Sequence, residues 1–244
     1  MATLTRGDTL EEVFTRIDTL GYAMGSGGFT SHAPMATETL VALGYHQEAI
    51  DWLDRYMRSV PHAPRPERVG SIDPADESSW REALGDHDRL ADWVALFDEE
   101  LENAQWQDVL ARWWPRLVPG FLAGLTHGLI RTAHASRVLA GEPNPSRTLR
   151  RELARGLGYL AARNSPLPGQ PSLQGALSLS EAIAGLPEVH PREVLGAGVE
   201  RRSGGRQVTD EGLEGFADAV NALAAPGDID QALLDLTHET AGLL

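Results

Sequence analysis

The sequence predicts an all-α protein, a multi-helix bundle with a buried central helix, and three observations carry that prediction. Apolar residues recur at helical spacing through most of the chain. No stretch shows the sustained two-residue alternation of a half-buried strand. A composition that is 42% hydrophobic over 244 residues is enough to fill a core. A single helical domain over residues 1–244 is therefore expected.

The first helix is expected from about Thr9 to Leu20, with Asp8 as its cap and Leu10, Val13, Ile17 and Leu20 on one face. Gly25, Ser26, Gly27 and Gly28 break it as a loop. They lack both the Lys-Ser/Thr ending and the preceding strand of a phosphate cradle. A helical hairpin follows. Ser31 caps a helix bearing Met35, Leu40 and Leu43, Gly44 makes the turn, and Ile50, Leu53 and Met57 mark the second arm. Four prolines between Pro61 and Pro74 make an extended connector. Helices resume at about Ser79–Leu84, Leu90–Asn103 and Trp106–Leu117. Six tryptophans lie between Trp52 and Trp114, and they fit either core packing or an apolar pocket for a flat ligand.

Phe121–Leu139 reads as the buried central helix, apolar or small on nearly every side, with Gly124 and Gly128 in its interior. An interior glycine costs about 1 kcal/mol relative to alanine, so close packing or room for a ligand must compensate. The next helix, roughly Arg147–Asn164, sets Arg147, Arg150, Arg151 and Arg155 opposite a leucine face, as a solvated stripe. Beyond Asn164 a helix near Leu173–Ala184, a loop from Pro187 to Gly205, and helices at about Asp210–Ala224 and from Asp228 onward complete the reading.

Charge and composition exclude several classes of function. A formal charge of −14, from 35 acidic against 21 basic residues, sets nucleic acid aside, because phosphate backbones are bound by clustered positive charge. Without cysteine there is no disulfide, thiolate ligand or thiol nucleophile. Lysine is also absent, which removes Schiff-base chemistry. No apolar run approaches the roughly 18 residues of a membrane span and the N-terminus has no signal-like segment, so no membrane association and a cytoplasmic location are expected.

Any metal chemistry must then rest on histidine and carboxylate. His46, His62, His87 and His190 fall in turns, the connector or loops, where a solvated ring is the natural account. His32 follows the cap Ser31 at a helix start, on a face with Met35 and Leu40, and there the helix dipole favours the neutral imidazole that a metal needs. His127 and His134 are seven residues apart on one helix, about 20° apart around its axis and roughly 10 Å along it. Arg131 lies between them, and a buried guanidinium there needs a carboxylate or an anionic substrate group. His238 shares a face with Leu234 and Ala241 on the last helix. Four inward histidines on three helices are how a bundle assembles a metal centre, and a thiolate-free set suits non-haem iron, manganese or zinc.

Several motifs occur in an order that resembles the questin oxidase-like family. They are Ser31-His32-Ala33-Pro34-Met35 with Glu38, Leu43-Gly44, Trp52 and Tyr56; then Trp80, Leu84-Gly85-Asp86, Trp93 and Phe97; then Thr126-His127-Gly128-Leu129-Ile130-Arg131-Thr132-Ala133-His134-Ala135; and finally Leu236-Thr237-His238-Glu239-Thr240. The resemblance implies a metal-dependent oxygenase, with non-haem iron held by histidines, acting on a polycyclic aromatic polyketide such as an anthraquinone. It implies His32, His127, His134 and His238 as metal ligands and Arg131 as a catalytic group that stabilises negative charge on the substrate. NADPH is left open as a reductant, although no dinucleotide fingerprint is present.

The chain stops at Leu244, ahead of the segment in which family members carry a further His and Lys, and it is expected to lack that segment. Glu38 or Glu239 would then supply a carboxylate in place of the lysine, or water would complete the sphere. Two other functions remain open at this point: a catalytically silent family member that binds a ligand or a partner, and a metal-dependent hydrolase.

Overall fold

The computed structural model describes residues 4–24, 29–59, 61–122, 124–166, 174–186, 199–202, 205–208, 216–225 and 227–242. The fold is all-α, as expected. It divides into two compact units, Met1–Pro166 with Arg202–Gly205, and Leu167–Arg201 with Arg206–Leu244. Among the described residues no helix is long and apolar enough to cross a membrane.

In the first unit, α1 (Arg6–Ile17) starts ahead of its predicted position. Thr5 is its cap, accepting from the Asp8 backbone N–H at 3.2 Å, so Asp8 sits in the first turn rather than at the cap. Two-residue strands β1 (Ala23–Met24) and β2 (Phe29–Thr30) pair antiparallel, with Ala23 opposite Thr30. The loop of residues 25–28 lies outside the described residues. The hairpin leads into α2 (Ala33–Ala42) and α3 (His46–Ser59), joined by a turn in which Gly44 takes φ +90°. The connector is extended as predicted, and α4 (Glu77–Ala83), α5 (Leu90–Asn103) and α6 (Trp106–Leu117) follow.

The tryptophan question resolves towards the core. Trp80, Trp93, Phe97 and Trp113 meet one another edge-on or stacked, and all four are buried.

The last two helices of this unit differ most from expectation. The predicted central helix begins only at His127, as α7 (His127–Ala140), because Gly124, Leu125 and Thr126 all take positive φ, at 61°, 53° and 62°. The central buried helix is instead α8 (Arg147–Ala162), in which every residue from Glu152 to Ala162 is buried. It packs against both α5 and α7. Glycine makes the α7 crossing possible: a Cβ on Gly128 would stand 2.7 Å from the Leu160 Cα, and one on Gly156 would stand 3.0 Å from the Thr132 Cα. The arginine stripe of α8 is also not simply solvated. Arg155 is 3% exposed and reaches Asp18 and the Leu20 carbonyl, while Arg151 pairs with Asp18 and Arg147 with Glu102.

In the second unit, α9 (Leu179–Ala184) opens with a capping box between Ser178 and Glu181, and α10 (Phe216–Asn221) and α11 (Ile229–Gly242) both contact it. Strands β3 (Val199–Arg202) and β4 (Gly205–Val208), whose residues are divided between the two units, pair with each other; β3 falls where the sequence predicts loop and β4 begins at the end of that loop.

Candidate functional site

The site is built on the facing surfaces of α2 and α7. His32 is the residue from which α2 starts, with Pro34 in the first turn. The hairpin fixes its position: Ser31 donates its N–H to the Tyr22 carbonyl at 3.0 Å, and Thr30 shares a 2.6 Å hydroxyl hydrogen bond with Tyr159 of the buried helix α8. Tyr159 is 1% exposed, so it ties the strand before His32 to the core.

His127 is the first residue of α7, directly after the three left-handed residues. For Leu125 and Thr126 such a conformation costs on the order of 1–2 kcal/mol each, and backbone strain of this kind collects at functional sites. Here it delivers the Gly124 carbonyl to the imidazole of His127, whose Nδ1–H donates to it at 2.7 Å. The lone pair of His127 therefore lies on Nε2.

Nε2 of His127 stands 3.0 Å from Nε2 of His32, with the two rings edge-on. That separation fits a hydrogen bond. It also fits two ligands of one ion, since donors about 2.1 Å from a metal and at right angles to each other lie roughly 3 Å apart. Contrary to the inward orientation expected for it, His32 is exposed. The packed side of its ring and the neighbouring His127 nonetheless push its pKa below the ordinary value.

His134 lies farther along α7, where it meets Glu38 of α2. Nδ1 of His134 is 2.6 Å from Oε2 of Glu38, and Arg137 clasps both oxygens of the same carboxylate, at 3.0 Å through Nε and more closely through Nη2. Glu38 is 1% exposed. Burial alone would raise its pKa, but hydrogen bonds from His134 and Arg137 outweigh burial and hold it below the usual glutamate value. Two pairs, His32 with His127 and Glu38 with His134, thus face each other across helices that run parallel here.

Arg131 turns towards α8, where its guanidinium makes a bidentate pair with Glu152 at 2.6 and 2.9 Å and lies over the Tyr22 ring. It is 1% exposed, so the carboxylate it requires comes from the protein and not from a substrate. His238 is exposed on α11 of the second unit. The Glu239 side chain and His190 lie outside the described residues. Among the described residues no group of three or more His, Asp or Glu could hold a metal.

Two histidines assigned to solvent are in fact packed. His62 lies against Tyr56 with both ring nitrogens buried and unpartnered, and His87 lies edge-on to Tyr159. Sequence reasoning also missed Tyr159 and the Gly124 carbonyl. A lone tyrosine in an apolar helix is a faint signal, and the carbonyl has none, since it depends on backbone conformation. A cleft of about 360 Å³ lined by Arg68, Asp92, Glu100 and Arg112 lies on the α5 side and includes none of the site histidines.

The class of protein that the fold defines is an all-α one with a histidine pair between two parallel helices. The questin oxidase-like family model matches residues 29–169, more than half of the chain and the whole stretch from β2 through α8. The chain belongs to the questin oxidase-like family. The His238 motif lies beyond the matched residues. Comparison with curated proteins and with solved structures finds no match.

Proposed function

We propose that the chain is a metal-dependent oxygenase, an oxidoreductase that uses non-haem iron to oxidise a polycyclic aromatic polyketide such as an anthraquinone. The carrying observation is the 3.0 Å approach of the His32 and His127 Nε2 atoms, with the Nδ1–H of His127 committed to the Gly124 carbonyl. Two imidazole nitrogens so placed fit a divalent iron, which binds such donors well. When bound, the metal would supply a Lewis acid and a redox centre for oxygen and an electron-rich substrate. The protein's own contribution is to fix the two rings before anything binds. Tyr159 and the β1–β2 hairpin hold His32, and the strained turn holds His127.

Membership of the family supports the oxygenase class. That the described residues bring only two donors together favours a second reading, a silent family member that binds the same ligand without turning it over. One experiment separates the two. The protein is loaded anaerobically with Fe(II), analysed for iron, and then mixed with a hydroxyanthraquinone while oxygen uptake is followed, with and without NADPH. Stoichiometric iron with substrate-dependent oxygen uptake supports the oxygenase. Iron-free protein that still binds the anthraquinone establishes the silent reading.

A further inference from the structure

We propose that the cavity between α1 and the first turns of α8 is a binding site for a phosphate-class oxyanion, held by Arg151, Arg155 and Thr148. None of the site histidines lines it, and the inference does not depend on how the histidine pair is read.

The cavity has a volume of about 170 Å³, with Asp18 on the α1 side and Arg147, Thr148, Arg151, Glu152 and Arg155 on the α8 side. The three arginines recur every four residues, so helical geometry sets them along one face. A volume below the roughly 300 Å³ at which pockets for drug-sized ligands begin suits a small ion and not a polycyclic substrate.

The charges do not balance across it. Glu152 gives both of its oxygens to Arg131, at 2.6 and 2.9 Å. Asp18 is one carboxylate shared by three guanidiniums: Arg155 Nη1 and Arg151 Nε each lie 3.2 Å from its Oδ1, and Arg65 lies 3.7 Å from its Oδ2. Arg147 turns away to Glu102 at 2.5 Å and Asp98 at 3.5 Å, and Asp98 reaches Arg151 only at 4.0 Å. A chain with a formal charge of −14 thus concentrates positive charge at this one cavity.

The hydrogen-bond donors point the same way. Arg155 is 3% exposed, and its Nε and that of Arg151 are buried without a hydrogen-bond partner, because the approach of Arg151 to Asp18 is not aligned for one. A buried N–H left unpaired is costly and calls for an acceptor. Guanidinium forks match the oxygens of phosphate, and Thr148, in the first turn of α8, adds a hydroxyl at the positive end of a 16-residue helix. A phosphoryl group brings a charge of about −2 and three strong acceptor oxygens, whereas a carboxylate would only repeat what Asp18 already supplies.

The test titrates inorganic phosphate into the full chain by calorimetry, in chloride buffer free of other oxyanions. Wild type should bind one phosphate with a Kd of about 1 mM or tighter. Arg151→Gln should weaken binding about 10–100-fold, the value of a hydrogen bond to a charged group. Arg112→Gln, which removes a partner of Glu100 outside the cavity, should leave binding unchanged, and Asp18→Asn, which removes the competing carboxylate, should tighten it. No saturable binding to wild type, or equal affinity in wild type and folded Arg151→Gln, overturns the proposal. If Arg151→Gln does not fold, Arg147→Gln, whose side chain is 64% exposed, is read in its place with the same two outcomes. Phenyl phosphate then distinguishes the sources. Tighter binding than inorganic phosphate supports a phosphoryl group carried on a larger molecule, and equal or weaker binding supports the free ion.

Discussion

The Nε2 atoms of His32 and His127 stand 3.0 Å apart although 95 positions separate them in the chain. One imidazole starts α2 and the other starts α7, so neither has a preceding helical turn of its own to shield it. Their approach depends on the two chain entries, the β1–β2 hairpin on one side and the left-handed turn on the other. The first prediction follows from this pair. His127→Ala should abolish stoichiometric metal binding, whereas His46→Ala, whose ring contacts Thr9 of α1 at 3.3 Å, should leave it intact. Elemental analysis of protein purified without chelators checks both, and equal metal content in the two variants removes the pair as the site.

Arg131 and Glu152 form a bidentate pair in which both side chains are almost fully buried. Replacing only the arginine, as Arg131→Met, leaves a buried unpaired carboxylate and should cost about 3–5 kcal/mol. For a chain of this size that lowers Tm by on the order of 6–20 °C. The double variant Arg131→Met, Glu152→Leu should recover most of the loss, measured by thermal unfolding. If the double variant keeps fold and metal but loses turnover, Arg131 acts on substrate. If it keeps all three, its role is to join α7 to α8.

Helix boundaries at α5 and α6 were legible because strong amphipathic spacing coincides there with clear breaks, and the connector was legible from its prolines. The identity of the central helix was not. Apolar composition marks both α7 and α8, and only the packing shows that the arginine of α8 at position 155 is buried against Asp18 and Tyr22. At the site, the seven-residue spacing of His127 and His134 placed both histidines on one helix. Spacing could not show that His134 would meet Glu38 while His127 met His32, since both partnerships are set by the docking of α2 on α7. The left-handed turn before His127 was hidden for a further reason: Gly124 signals it, but Leu125 and Thr126 are residues that ordinarily avoid such a conformation.

Gly128 provides a packing test that runs against helix propensity. In an isolated helix, Gly→Ala should stabilise by about 1 kcal/mol. Here the added Cβ would meet backbone atoms of Leu160 at 2.7 and 3.0 Å, which cannot give way as a flexible side chain would. Gly128→Ala should therefore destabilise by about 1–3 kcal/mol, the usual cost of overpacking. Because the helix it moves carries His127 of the histidine pair, metal affinity should fall with it. Denaturant unfolding and a Zn(II) titration on the same variant check the two effects, and a stabilised variant contradicts the close α7–α8 crossing.

His87 makes a pH prediction whose sign is fixed by its surroundings. Burial, chiefly, and then the charge of Arg163 lower its pKa from 6.5 to about 4, with Asp86 and Asp88 opposing. Its Nδ1 is buried without a partner, so protonating it in the fold is unfavourable. Between about pH 4 and pH 6.5 the unfolded chain binds a proton at this position that the native chain refuses, and stability must fall as pH drops through that window. The ring is only partly buried, so solvent screening reduces the effect to on the order of 1–2 kcal/mol. His32 and His62 are shifted in the same direction, so the informative quantity is a difference between proteins. His87→Phe keeps an aromatic edge against Tyr159 and removes the titration. Its stability, measured by denaturant unfolding at steps from pH 4 to 7, should slope less steeply with pH than that of wild type. Parallel curves would mean that His87 titrates normally, and that the contact with Tyr159 leaves it open to water.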